Sequence, residues 1–293
     1  MTHTQDNPPE QGAVNREHSA HPRGFHDNRY VYAVLSRRSG GISVGINLNP
    51  DKRCNFDCIY CQVDRHQMPP PEPVDIPRLS DELSTMLEAA ADGSLFAEPR
   101  FADLPEAQKK VVDVALSGDG EPSQCTLFDA IAEAVITLTG PANIPVVLIT
   151  NASGLDRETV VAGVDRIMAA GGAIWAKLDA GTAEWYEQVC GDRVPFNRIL
   201  ENLTHTAQRH PITLQTCLFK LTGALPEAAE IDAFADRVNE ILDAGGRIAG
   251  IQLYTVARPP AEAVVKPIPA NTLAEIGGRL GLKIHGVPLR VFA

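Results

Sequence analysis

The stretch GISVGINLNPDKRCNFDCIYC (41–61) decides how the chain reads. GISVGINL (41–48) has the β-branched and apolar content of a strand, and it runs directly into a loop of crowded thiols. In CNFDCIYC (54–61), Cys54, Cys58 and Cys61 are separated by three and then two residues, with no fourth cysteine beside them. A strand delivering ligand-type side chains from its C-terminal end is how α/β folds build sites.

Working outward, strand and helix alternate. VVDVALS (111–117), PVVLITN (145–151), AIWAKLD (173–179), ITLQTCLF (212–219) and RIAGIQLYTV (247–256) read as further strands. Between them, helices are expected over 80–93 with Ser80 as cap and Gly93 as stop, over 126–140, at about 156–170, 182–189 and 196–209, and from Pro226 to about Ala244. A last helix is expected at about 271–280, before a short VPLRVF tail. Six βα units without long hairpins imply a parallel sheet. Period two puts Trp175, Lys177 and Asp179 on one face of their strand, opposite Ile174, Ala176 and Leu178. Gln215 and Cys217, and Gln252 and Tyr254, are likewise set apart from apolar neighbours. A partly polar inner face fits a partial (βα)6 TIM-like barrel with a ligand in its lumen. DRHQMPPPEPVDIP (64–77) is a proline-rich loop within this core.

Composition narrows the function classes. Lys plus Arg is 26 and Asp plus Glu is 37, a net of −11, which disfavours a general nucleic-acid binder. RYVYAVLSRRSGG (29–41) is the only modest basic segment and reads as a solvated lead-in to a strand. The longest apolar runs, such as IPVVLI (144–149), are too short to cross a bilayer. Residues 1–29 read as a polar, disordered leader without a secretory h-region, so a cytoplasmic protein is expected. The core is expected over 30–256 and a C-terminal extension packing on it over 257–293.

Six cysteines in a reducing compartment argue for metal where clustered, and for small core residues at Cys125, Cys190 and Cys217. Three thiolates can hold three irons of a cubane cluster that ordinarily takes four cysteines, leaving one iron open. The same loop admits a zinc site closed by Asp57, Asp64 or His66, which would make a binding module without catalysis. A redox cluster without metal is a third reading.

Cys-x3-Cys-x2-Cys after the first strand, with Tyr60 before the last cysteine, resembles the radical S-adenosylmethionine superfamily. SGDGEP (117–122) resembles that family's Gly-Gly-Glu-Pro motif, with Asp119 in place of the first glycine. ITNASG (149–154) resembles its Thr-Asn-Gly segment, with Ala152 where glycine is usual. The resemblance covers about residues 41–256. It implies that Cys54, Cys58 and Cys61 bind a [4Fe-4S] cluster and that S-adenosylmethionine chelates the open iron. It further implies cofactor contacts from Gly118, Asp119, Gly120, Glu121, Thr150 and Asn151, with Tyr60 near the adenine. Reductive cleavage would give a 5′-deoxyadenosyl radical that abstracts hydrogen from a substrate in the lumen. An electron donor such as a flavodoxin or ferredoxin would be the partner.

Lys177, Asp179 and Gln252 are the candidate catalytic side chains, with the bland alternative that Lys177 and Asp179 are a plain internal ion pair. Glu121 is also a candidate helix cap. Gln215, Tyr254 and Arg258 are further candidates at the lumen and its mouth. No cysteine follows Cys217, so no auxiliary cysteine-bound cluster is expected. The closest resemblance is to small iron–sulfur oxidoreductases related to wyosine-type tRNA-modifying radical enzymes, which leaves the substrate unassigned and tRNA modification as the alternative.

Overall fold

A computed structural model describes residues 25–260 and 262–293. The part of the expected leader before Phe25 lies outside the described residues. Eight strands form one sheet, in the order β1 (Val31–Ser36), β2 (Gly41–Ile46), β3 (Val111–Leu116), β4 (Val146–Thr150), β5 (Ala173–Lys177), β6 (Ile212–Cys217), β8 (Ile248–Tyr254) and β10 (Leu289–Phe292). β7 (Lys220–Leu221) and β9 (Val265–Lys266) pair as a separate two-residue ladder. From β2 to β10 every neighbouring pair is parallel.

The helices are α1 (Ile76–Asp92), α2 (Ser94–Ala97), α3 (Phe128–Thr139), α4 (Glu158–Ala169), α5 (Ala183–Cys190), α6 (Phe196–Arg209), α7 (Ala228–Asp243) and α8 (Ala270–Lys283). Their apolar stripes cover one face of the sheet: Phe128, Ile131 and Val135 of α3, Val160, Val164 and Ile167 of α4, and Phe234, Val238 and Ile241 of α7 are all buried. That burial supplies the main stabilisation, at about 25 cal/mol for each Å² of apolar surface removed from water. The other face lines a cavity to which β1 to β6 and β8 contribute, so the sheet curls as a half-barrel around it. No helix among the described residues is long and apolar enough to cross a membrane.

The six expected parallel strands are present, and the architecture is wider than six units by one strand on each side. The segment read as a solvated lead-in is β1, a buried strand antiparallel to β2 with Val31 opposite Ile46. The carboxylate of Glu82, on α1, holds its start by accepting from the backbone N–H groups of Arg29, Tyr30 and Val31. The C-terminal tail is β10, parallel to β8. α1 begins four residues before the expected Ser80 cap: Asp75 caps it by accepting from Arg78 N at 3.1 Å, with Pro77 in the first turn. Gly93 ends it as expected, at φ 86°.

Candidate functional site at the strand ends

The cavity has a volume of about 330 Å³ and opens at the C-terminal ends of the parallel strands. Cys54, Cys58 and Cys61 line it, as do Tyr60, Gly118, Asp119, Gly120, Glu121, Thr150, Asn151 and Lys177. Segments far apart in the chain thus share one chamber because the parallel sheet brings successive strand ends side by side. Asp179 and Gln252 do not line it: they stand one layer behind, holding side chains that do.

The cysteine loop is bound to the neighbouring strand ends by a polar network. Asn151 donates to Asn55 Oδ1 at 3.0 Å, and Asn55 donates to Ser153 Oγ at 2.7 Å. Asn47, at the end of β2, accepts from the backbone of Asn49 and Asp119 and donates to Asp119 Oδ2 at 2.8 Å. Arg65 clasps three partners, donating to Lys52 O, to Asp119 O and to Cys61 Sγ, each at 3.1 Å. Backbone bonds from Asp57 N to Cys190 O and from Ile59 N to Val189 O dock the loop on the end of α5.

The glycines of GDGEP line the cavity and also pack closely against the chain that leads into the cysteine loop. A Cβ on Gly120 would overlap the Arg53 carbonyl oxygen and come within 2.7 Å of Asn49 Cβ. A Cβ on Gly118 would overlap Asn47 Oδ1. Both glycines let the β3 end press against the backbone that leads into Cys54.

Glu121 is a buckle between motifs. Its buried carboxylate accepts from Thr150 Oγ1 at 2.5 Å, from Asn151 N at 2.6 Å and from Ser123 N at 3.0 Å, the last as cap of the short turn at Pro122–Gln124. Burial raises its pKa above the ordinary glutamate value, and these bonds only partly offset that. The capping role weighed from sequence is present, and the tie to the β4 end comes with it.

The opposite wall is built on Lys177, which donates to Tyr254 Oη at 2.6 Å and pairs with Asp179 Oδ2 at 3.2 Å. Asp179 also accepts from Tyr60 Oη at 2.6 Å and from Cys217 N at 2.7 Å. Burial alone would lower the Lys177 pKa. Burial is the largest single influence, but Asp179, Tyr254 and Cys217 together outweigh it, and the net direction is upward. Lys177 is therefore held as an ammonium. Gln215 lines the cavity and donates to Gln252 Oε1 at 2.8 Å, so Gln252 orients Gln215 from behind.

The thiols are unlike one another. Burial pushes the Cys54 thiol up to about 12. Cys58 is shifted down, first because the Cys190 thiol donates to it. Cys190, read from sequence as a plain core residue, is buried against Cys58. Among the described residues no three His, Cys, Asp or Glu side chains converge on a point that would hold a metal ion. What fits a thiophilic iron cluster is the donor chemistry: three sulfurs from one short loop, open to one cavity, with Arg65 against one of them. His66 is exposed and does not line the cavity, so it adds nothing toward a closed zinc site there.

Arg65, Asn47, Asn55 and Cys190 escaped the sequence reading. Arg65 alone had a local signal, a cation four residues after a candidate thiolate. The others matter through partners remote in sequence.

No family model matches the chain. Among curated proteins, the GTPase Obg of Brachyspira hyodysenteriae (strain ATCC 49526 / WA1) is 24% identical over 240 residues, covering 80% of this chain and 31% of that protein. The chain thus spans less than a third of that relative's length. Among solved structures, archaeal TYW1 aligns with a TM-score of 0.54 and 14% identity over 95% of this chain and 90% of that one. TYW1 with a lysine–pyruvate adduct bound aligns with a TM-score of 0.51 and 14% identity, over 92% and 82%. At that identity the likeness is one of architecture: the half-barrel of this chain has the fold of the TYW1 structures.

Proposed function

We propose that the chain is a radical S-adenosylmethionine enzyme. Cys54, Cys58 and Cys61 would hold a [4Fe-4S] cluster, and the β3 and β4 ends would hold S-adenosylmethionine. When bound, these groups supply a one-electron cleavage of the sulfonium and a carbon radical able to take hydrogen from a substrate. The observation that carries the reading is the meeting of residues from CNFDCIYC, GDGEP and ITN in one cavity, with a polar wall facing them.

The chain's own part is positioning. Glu121, Thr150 and Asn151 lock two strand ends together, so backbone groups around Gly118 and Gly120 present a fixed surface. Arg65 sets one positive charge beside Cys61, where it would offset the charge of a thiolate-bound cluster. Tyr60, fixed by Asp179, offers an aromatic edge next to the thiols. Lys177, Gln215 and Tyr254 face the lumen as substrate contacts, and Asp179 and Gln252 act as positioning residues behind them.

Modification of tRNA draws support from the TYW1-like fold, against an acidic chain of net −11. Nucleotide hydrolysis draws none from the sequence, which contains no Gly-Lys dipeptide and so no P-loop of the Gly-x4-Gly-Lys form. A fitting test is anaerobic reconstitution with iron and sulfide. The wild-type chain is expected to turn brown and bind about four irons, and Cys58→Ala to stay colourless. A colourless wild-type protein with one tightly held zinc would overturn the proposal.

A further inference from the structure

The hairpin turn after β1 carries Arg37 and Arg38, and both enter the cavity. The Arg38 guanidinium lies over the Tyr254 ring, 4.4 Å from its centroid, and its Nε is buried without a hydrogen-bond partner. Lys177 Nζ approaches the same ring, 5.1 Å from its centroid. Arg37 lines the same cavity, and burial and the Arg38 charge both lower its pKa.

Arg38 and Lys177 therefore meet over one tyrosine, with Arg37 on the wall of the same cavity. The carboxylate paired with Lys177 is Asp179, which also serves Tyr60 Oη and Cys217 N, while the carboxylates that line the cavity, Asp119 and Glu121, lie at the β3 end. Among the described residues neither Arg37 nor Arg38 makes an ion pair. Half-buried arginines left together without a counter-charge are costly unless an anion joins them. The chain as a whole carries −11, so this concentration of positive charge inside the lumen is not part of a general basic surface.

We propose that Arg38, with Arg37 and Lys177, forms an anion subsite over Tyr254 that holds the carboxylate or phosphate group of a small-molecule substrate. Its residues come from the hairpin after β1 and from β5 and β8. The proposed S-adenosylmethionine contacts come from different residues, at the ends of β3 and β4. An arginine fork suits two oxygens of one oxyacid, and the ring beneath fixes the plane of the fork. A small molecule is favoured over a nucleic-acid strand because these cations line a chamber of about 330 Å³. The inference rests on reading that chamber as the substrate lumen, but its test needs neither iron nor S-adenosylmethionine, so the two proposals fail separately.

The full chain, iron-free, is titrated with inorganic phosphate and with malonate at constant ionic strength, following tryptophan fluorescence, since Trp175 lines the same cavity. One anion is expected to bind saturably, and which one does tells phosphate from carboxylate. Arg38→Met and Arg37→Gln should each weaken it at least tenfold, and Arg290→Gln, on an exposed β10 side chain, should not. No saturable binding up to about 50 mM, where even millimolar affinity fills most sites, would overturn the proposal. So would undiminished binding in both lumen variants, or binding of a single-stranded RNA oligomer in place of either small anion. On the iron-loaded chain, mutual exclusion between the anion and S-adenosylmethionine would place both in one site and overturn it as well.

Discussion

Gly120→Ala tests whether the GDGEP turn is shaped by the cysteine loop. The added Cβ would overlap the Arg53 carbonyl oxygen and stand 2.7 Å from both Asn49 Cβ and Asn49 Cγ. Backbone and the root of a side chain cannot swing aside as the end of a long chain can, so the loop or the β3 end must move. Overpacking that displaces backbone costs about 3 kcal/mol, at the upper end of the usual range. Reduced freedom of the unfolded chain returns about 0.4–1 kcal/mol of that. A net loss of about 2 kcal/mol raises the unfolding constant about thirtyfold. Urea unfolding followed by circular dichroism should show a lower midpoint at unchanged slope. Because the displaced oxygen belongs to the residue before Cys54, iron retention after reconstitution should fall too. Gly278→Ala is the control: it lies inside α8 with nothing within 4 Å of the new Cβ, and should stabilise by about 0.5–1 kcal/mol. Wild-type stability and iron content in Gly120→Ala would refute the reasoning.

Two buried carboxylates should give stability opposite pH dependences. Asp113 accepts from Ser43 Oγ and from Ser39 Oγ at 2.9 Å, yet burial raises its pKa above the ordinary 3.8. Its contribution is full below that value and is lost as pH rises through the folded pKa, so Asp113→Asn should gain on wild type as pH rises above 3.8; a constant difference in urea midpoint would contradict this. For Glu82, burial raises the pKa, but bonds from Arg29 N, the Arg78 guanidinium, Tyr30 N and Val31 N outweigh it, and the net shift is below the ordinary 4.5. Glu82→Gln should therefore be less stable than wild type at neutral pH, with the gap closing as pH falls through the folded pKa. Lys177, held as an ammonium by Asp179, should not be trapped by borohydride in the presence of pyruvate, whereas Asp179→Asn should let adduct form; ready trapping in the wild type, read by mass, would show a nucleophilic amine instead.

The sequence made the strand ends legible because the motifs are local and the strand period is simple. Lys177, Gln215 and Tyr254 lie on the cavity face that alternation assigned to them. Alternation is blind to depth, which is why Asp179 and Gln252, on the same faces, turn out to stand behind the lining. The two edge strands were missed for another reason. VYAVLS is short and flanked by Arg29 and the Arg37–Arg38 pair, and what buries it is β2 beside it and Glu82 from a helix some fifty residues on. The α1 start was readable in Asp75-Ile76-Pro77, a cap followed by proline, but Ser80 competed as an equally good cap a turn later. The network of Asn47, Asn55 and Arg65 has no sequence signature, since each residue acquires its partner only when the strand ends meet.

The central claim is that this chamber supports reductive cleavage of S-adenosylmethionine. Its most direct test is to incubate the anaerobically reconstituted chain with S-adenosylmethionine and dithionite and measure 5′-deoxyadenosine by liquid chromatography. The account predicts release of 5′-deoxyadenosine by the wild-type chain and none by Cys58→Ala. No 5′-deoxyadenosine from a wild-type chain shown to carry its iron, or equal release by Cys58→Ala, would contradict it.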